Sequence, residues 1–194
     1  MSGYEDLKDS RGQIDMEDVL LLTAGLLETE AAAAMEVRER YRFFVVDEYQ
    51  ILEAKSIGAD CILLIAAALE PEKLKSLASF AKSLGMEVLM EVHDGEELDR
   101  SLCDGLDLVG VNNRNLKTFE VSIDTSLGLV DRIPSNFVKI SESGISDPAT
   151  LIQLKKAGFD GFLIGENYMK SSRPEQAAYN FIKEFRKLLA TETE

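Results

Sequence analysis

Glu91-Val92-His93-Asp94, at the end of the run that starts at Glu87, and Val109-Gly110-Val111-Asn112-Asn113-Arg114-Asn115-Leu116 further along decide how this chain folds. Each is an apolar run that stops abruptly in polar side chains and gives way to a helical pattern. A strand of a parallel barrel or open α/β sheet has this form: it is buried along its length and presents chemistry at its carboxyl end.

Working outward, the same unit recurs. Phe43-Phe44-Val45-Val46 is followed by Asp47, a capping residue, and a helical stretch to Gly58. Cys61 to Ala67 is a continuous apolar run, and the helix after it starts at Pro71 and stops before Gly85, where a first-turn proline and a terminal glycine belong. Glu87–Val92, Leu106–Val111, Phe137–Ile140 and Gly161–Gly165 read as strands; 95–103, 125–133, 148–157 and 174–189 read as helices. This makes six consecutive strand–helix units with no hairpin signal between them. Unbroken apolar strands imply cover on both faces. Their alternation with helices implies a parallel sheet with right-handed crossovers. The expected fold is α/β, a TIM-barrel-like (βα) repeat of six units, an incomplete or remodelled barrel, since a closed one takes eight strands.

Ahead of these units, residues 1–14 read as a polar lead-in and 15–41 as a helix opened by Asp15, free of proline and rich in Leu, Ala, Glu and Met. Residues 42–194 form the barrel-type domain. The formal net charge of −14 over 194 residues opposes general binding to nucleic acid or an anionic membrane, and leaves room for a local site for one small phosphate. No apolar run is long enough to cross a bilayer and no signal pattern opens the chain, so a cytoplasmic protein is expected. Cys61 and Cys103 lack metal-ligand spacing, and Cys61 reads as a small core residue.

Among residues that could carry chemistry, Glu91 is a partly desolvated strand-end carboxylate suited to acid–base work. The plainer reading pairs it with a nearby cation. His93, the single histidine, is expected by strand alternation to point away from the barrel mouth, in a structural or supporting role. Asn112 and Arg114 alternate at a strand end, and the Arg114 fork suits a carboxylate or phosphate. A surface ion pair is the alternative. Glu142-Ser143-Gly144 and Gly165-Glu166 are strand-to-helix turns whose backbone N–H groups suit a phosphate. No metal site is expected.

Taken together, Phe44-Val45-Val46-Asp47-Glu48-Tyr49-Gln50-Ile51, Gly58-Ala59-Asp60, Glu91-Val92-His93-Asp94, Gly110 to Leu116, Ser141-Glu142-Ser143-Gly144-Ile145 and Leu163-Ile164-Gly165-Glu166 resemble indole-3-glycerol phosphate synthase. The resemblance is collinear over about residues 42–190 and corresponds to strands three to eight of that family's barrel. It implies a lyase of tryptophan biosynthesis, closing the indole ring of 1-(2-carboxyphenylamino)-1-deoxyribulose 5-phosphate with loss of carbon dioxide and water, without a cofactor. By the resemblance, Glu91 is the general base, Asn112 orients the sugar part and Arg114 belongs to the substrate-binding network. Glu142 binds a substrate hydroxyl. Ser143, Gly144, Gly165 and Glu166 hold the phosphate, and Phe44, Leu63 and Leu116 line the aromatic pocket.

The sequence departs from the family in two places. Arg42 stands where the family carries its general-acid lysine, and a guanidinium is a very poor proton donor near neutral pH. The family's first two strands have no counterpart. The chain is therefore expected to bind the phosphorylated substrate, or phosphate ion, with little or no turnover. The alternative is a non-catalytic partial-barrel scaffold, a natural remnant or an engineered piece. Unpaired strand edges at Phe43 and Gly161 further suggest a homodimer that covers them.

Overall fold

Aspartates and prolines set the helix starts by the local chemistry anticipated above. In a computed structural model, which describes residues 47–116 and 118–191, Asp47 accepts from Gln50 N–H at 2.9 Å and opens α1 (Glu48–Ser56). Asp94 accepts from the N–H groups of Glu96 and Glu97 at 2.9 and 2.8 Å and opens α3 (Gly95–Ser101). Asp147 does the same for α5 (Pro148–Ala157), through Ala149 N–H at 2.9 Å. Each bond satisfies a donor that the first helical turn leaves without an intrahelical partner. Pro71 begins α2 (Pro71–Ser83) as expected. The helices α4 (Asp124–Leu129), α6 (Glu166–Met169) and α7 (Pro174–Thr191) complete the set among the described residues. The expectations for residues 1–46, including the helix at 15–41, the strand run 43–46, Arg42 and Phe44, lie outside the described residues.

Between these helices run five strands: β1 (Cys61–Ile65), β2 (Glu87–Val92), β3 (Leu108–Asn112), β4 (Val138–Glu142) and β5 (Gly161–Leu163). All are parallel, and their order in the sheet is their order in the chain. A doubly wound sheet reverses direction at a switch point. This one never does, which is the winding of a barrel wall. The α/β, TIM-barrel-like expectation is met by these five strands.

Several element boundaries differ from those expected. The run from Cys61 leaves the sheet at Ile65 and turns into a short 3-10 helix, Ala66–Ala68. The fourth described strand continues past Ile140 to Glu142, pairing Ser141 with Val111 and Glu142 with Asn112. Polar residues stay in the ladder there because their side chains find partners, as shown below. The short α6 was not anticipated.

The sheet has two unlike faces. Ile62, Leu64, Val88, Met90, Val92, Val109 and Val111 point to one side and are fully buried against Leu74, Leu77, Ala78, Ala81, Leu98 and Leu154 of the helices. Burying each such side chain contributes about 1.5–3 kcal/mol. The other side carries Leu63, Leu89, Leu108, Val138 and Leu163, which among the described residues are half-buried or exposed, Val138 at 44%. The expected cover on both faces is met only in part on this side: the residues just named are half-buried or exposed, whereas Glu91, Ile140 and Glu142, which share it, are buried. Cys61 is corrected too. It shares the open face with Leu63 and Ile65 and is exposed, not a core residue.

Candidate active site

Because β2, β3 and β4 are in register, the side chains of Glu91, Asn112 and Glu142 come out on the open face at the carboxyl ends of neighbouring strands, with Glu91 opposite Gly110 and Asn112 opposite Glu142. Asn112 Nδ2 donates to Glu91 Oε1 at 3.2 Å. Both glutamates are only 7% exposed. Glu142 reaches Glu91 across Gly110, whose missing side chain leaves the space: a Cβ at 110 would lie 2.0 Å from Glu142 Oε1 and 3.2 Å from Leu89 Cδ1. Two carboxyl groups hydrogen-bond only through a proton held by one of them. Burial pushes Glu91 up, yet the contacts from His93, Asn112 and the Glu142 carboxyl outweigh it, and Glu91 sits below its ordinary value. Glu91 is therefore a desolvated carboxylate that remains charged, the state a proton acceptor needs.

His93 departs from expectation. It does not point away from the mouth of the site: residues two apart share a face of a strand, and just past the end of β2 at Val92 the ring stays on the side of Glu91, with Nε2 3.3 Å from Glu91 Oε1. On its other side Nδ1 lies 3.2 Å from Glu97 Oε2, and the same oxygen accepts the His93 backbone N–H at 2.7 Å.

Past Glu142 the backbone enters the left-handed region twice, at Ser143 (φ 64°) and Gly144 (φ 71°). That is unusual for serine. It is held by Asn113, which is 2% exposed and which sequence reasoning passed over in favour of its neighbour Asn112. Asn113 Nδ2 donates to Ser141 Oγ at 3.0 Å and to the Ser143 carbonyl at 3.1 Å, while its Oδ1 accepts the Ser126 N–H at 3.1 Å. Ser126 and Ser141 hydroxyls meet at 2.7 Å. One buried amide thus ties the end of β3 to the end of β4 and to the first turn of α4.

Arg114 and Asn112 were expected to alternate on one strand. In fact β3 stops at Asn112, and Arg114 sits in an isolated antiparallel bridge with Val121. Its guanidinium contacts Glu166 Oε2 at 2.5 Å, and Lys170 contacts Glu166 Oε1 at 2.5 Å. The Lys170 ammonium, then Arg114, hold the Glu166 carboxyl below its ordinary value against a push from burial. Gly165 precedes Glu166 at the start of α6. Leu63 is half-buried on the open face, and Leu116 is exposed in the turn after Arg114. No helix among the described residues is long and apolar enough to cross a membrane.

Residues 24–181 match the family model for indole-3-glycerol phosphate synthase. The chain belongs to the indole-3-glycerol phosphate synthase family. It is similar to the enzyme of that name from Bacteroides thetaiotaomicron, 49% identical over 140 residues, covering 72% of this chain and 54% of that protein. It is similar also to the one from Chromobacterium violaceum, 49% identical over 148 residues, covering 76% and 56%. The chain spans about half the length of the curated relatives it matches. Among solved structures it resembles 3-hexulose-6-phosphate synthase from Salmonella typhimurium, with a TM-score of 0.61 at 16% identity over 84% of this chain and 82% of that one. A KDPGal structure follows at a TM-score of 0.57 and 16% identity, over 91% and 92%. At such identity these two speak for the fold alone.

For a chain of the indole-3-glycerol phosphate synthase family, the sequence-stated set Glu91, Asn112 and Glu142 converges, Ser143 and Gly144 follow directly, and Arg114 meets Glu166. The residues missed are His93 as a partner of Glu91, Asn113 as the hub, and Gly110. The Asp94-x-x-Glu97 spacing, a capping-box pattern, was the available signal that Glu97 reaches back toward residue 93. Gly110→Ala is expected to cost about 1–3 kcal/mol through overpacking, read by urea denaturation. A neutral result would mean that Glu142 swings away freely and that its contact with Glu91 is weak.

Proposed function

We propose that the carboxyl ends of β2 to β5 bind the substrate of the indole-3-glycerol phosphate synthase reaction, 1-(2-carboxyphenylamino)-1-deoxyribulose 5-phosphate. The observation that carries this reading is the convergence of Glu91, Asn112 and Glu142 at the ends of three neighbouring strands, beside the Ser143–Gly144 turn. In this reading Glu91 takes a proton from the substrate, Asn112 orients its sugar part and Glu142 holds a hydroxyl. Backbone N–H groups at Ser143, Gly144, Gly165 and Glu166 hold the phosphate, and Phe44, Leu63 and Leu116 flank the aromatic ring. Arg114 exchanges Glu166 for an acid group of the ligand. A cytoplasmic location fits a pathway of small phosphorylated intermediates.

Turnover is low or absent in this reading, because Arg42 occupies the place of the proton-donating lysine and loss of a general acid costs a factor of about 10² to 10⁴.

The test is thermal stabilisation with indole-3-glycerol phosphate and, separately, with inorganic phosphate. At 100-fold over its dissociation constant the organic ligand is expected to stabilise the fold by about 2.7 kcal/mol. No shift with the organic ligand would overturn the proposal.

A further inference from the structure

His93 is enclosed by carboxylates. Glu91 approaches Nε2 from β2, Glu97 approaches Nδ1 from α3, and Glu142 touches Glu91 from the end of β4. On the histidine's own side, Asp94 and Glu96 add negative charge without touching the ring. A neutral imidazole carries one N–H and presents a lone pair at the other nitrogen. A lone pair facing a carboxylate is repelled, so a ring with carboxylate oxygens at 3.3 and 3.2 Å on its two nitrogens takes both protons. Nε2 is buried and its alignment to Glu91 falls short of a hydrogen bond, so the contact is electrostatic. Glu97 is fixed in turn, since its own N–H is capped by Asp94 at 2.8 Å and its carboxylate grips the His93 backbone N–H. The ring is therefore clamped from behind and presents its charge to Glu91.

We propose that His93 is a positioning residue for Glu91: its imidazolium, held by Glu97, keeps the Glu91 carboxylate charged and turned to the open face beside Asn112. Two carboxylates in contact, Glu91 and Glu142, repel unless one takes a proton. The cation decides which one, placing the proton on Glu142 and leaving Glu91 able to accept another from a substrate. The role rests on reading Glu91 as the proton acceptor, but the pairing itself is measurable without turnover.

Because the chain has one histidine, its ring signals in an NMR pH titration are unambiguous. Burial pushes His93 down, but Glu91 and Glu97 more than compensate, and it lies above its ordinary value of 6.5. A group raised on folding contributes stability that is fully present below its unfolded value and is lost as pH rises through the folded one. Glu91, lowered from 4.5, contributes stability that is present above 4.5 and lost as pH falls through its folded value. The pair is thus fully effective between about pH 4.5 and 6.5.

The expected results are a His93 midpoint above that of an exposed histidine, a downward move of that midpoint in both Glu91→Gln and Glu97→Gln, and an upward move of the Glu91 carboxyl midpoint in His93→Gln. His93→Gln should lower the melting temperature more at pH 5.5 than at pH 8.5. If His93→Gln fails to fold, Glu97→Gln, which leaves the ring in place, carries the test. A His93 midpoint indifferent to Glu91→Gln, or a Glu91 midpoint indifferent to His93→Gln, would overturn the pairing. Midpoints that move as expected with no thermal shift from the organic ligand would support the pairing and sink only the synthase reading.

Discussion

Asn113→Leu is expected to lower the stability of the domain by about 3 kcal/mol, a fall in melting temperature of about 6–12 °C for a chain of this size. Leucine shares the branching of asparagine but is bulkier, so some overpacking adds to the loss of hydrogen bonds. Most of it comes from bonds lost at a 2% exposed position: the Ser126 N–H and the Ser143 carbonyl lose the Asn113 amide, and the Ser141 hydroxyl is left with the Ser126 hydroxyl alone. A buried polar group left unpaired costs about 1–3 kcal/mol. The Ser126 N–H belongs to the first turn of α4, which has no intrahelical acceptor for it, so Asn113 acts as a cap from a neighbouring strand. Ser141→Ala removes one partner and leaves the other two bonds, and should cost about 1 kcal/mol. Urea denaturation reads both. A loss below about 1 kcal/mol for Asn113→Leu would mean that the hub is rebuilt by water and does not fix the Ser143 turn.

Gly144→Val should cost about 3–5 kcal/mol and erase any stabilisation by ligand. Two effects combine. A β-branched side chain at φ 71° is in a region that it adopts only under strain, at about 1–3 kcal/mol. A Cβ at this position would also lie 2.2 Å from Val121 Cγ1, a clash with the strand-like segment that Arg114 and Val121 pair. Relieving it moves that segment or the turn, at about 1–3 kcal/mol more. Gly144→Ala with Val121→Ala separates the two: it removes the clash and retains the strain. The check is the urea midpoint, followed by the thermal shift with indole-3-glycerol phosphate. A Gly144→Val protein as stable as the parent and equally responsive to ligand would show that the turn is not part of the site.

What the sequence made legible was local. Asp47, Asp94 and Asp147 announce their helices because a cap interacts with residues two or three positions away. Glu91 and Asn112 could each be placed at the carboxyl end of a strand, because an apolar run that stops in polar residues marks that end. Asn113 could not, since its partners Ser126, Ser141 and Ser143 are distant in the chain and two adjacent asparagines look alike until the sheet assigns one to each face. His93 was misplaced because period-two alternation was misapplied: two residues on from Glu91 it shares that residue's face and does not point away from it. Cys61 looked like a core residue because an apolar run carries no mark of which face will be covered. Glu142 was read as a turn residue because it is charged, whereas the ladder to Asn112 and the empty space at Gly110 let it remain in the strand.

The unreversed strand order has a bearing on how the domain comes into being. Each strand pairs with the one made just before it, so every pairing closes a loop of roughly 20 to 30 residues and none waits for a distant partner. The cost of closure is nearly the same at each step, as in a chain of stacked repeats where each unit leans only on its neighbours. Such a sheet can lengthen one unit at a time as the polypeptide leaves the ribosome. The cluster of Glu91, Asn112 and Glu142, drawn from three successive strands, is then complete once β4 docks and does not wait for β5 or the last helix to join.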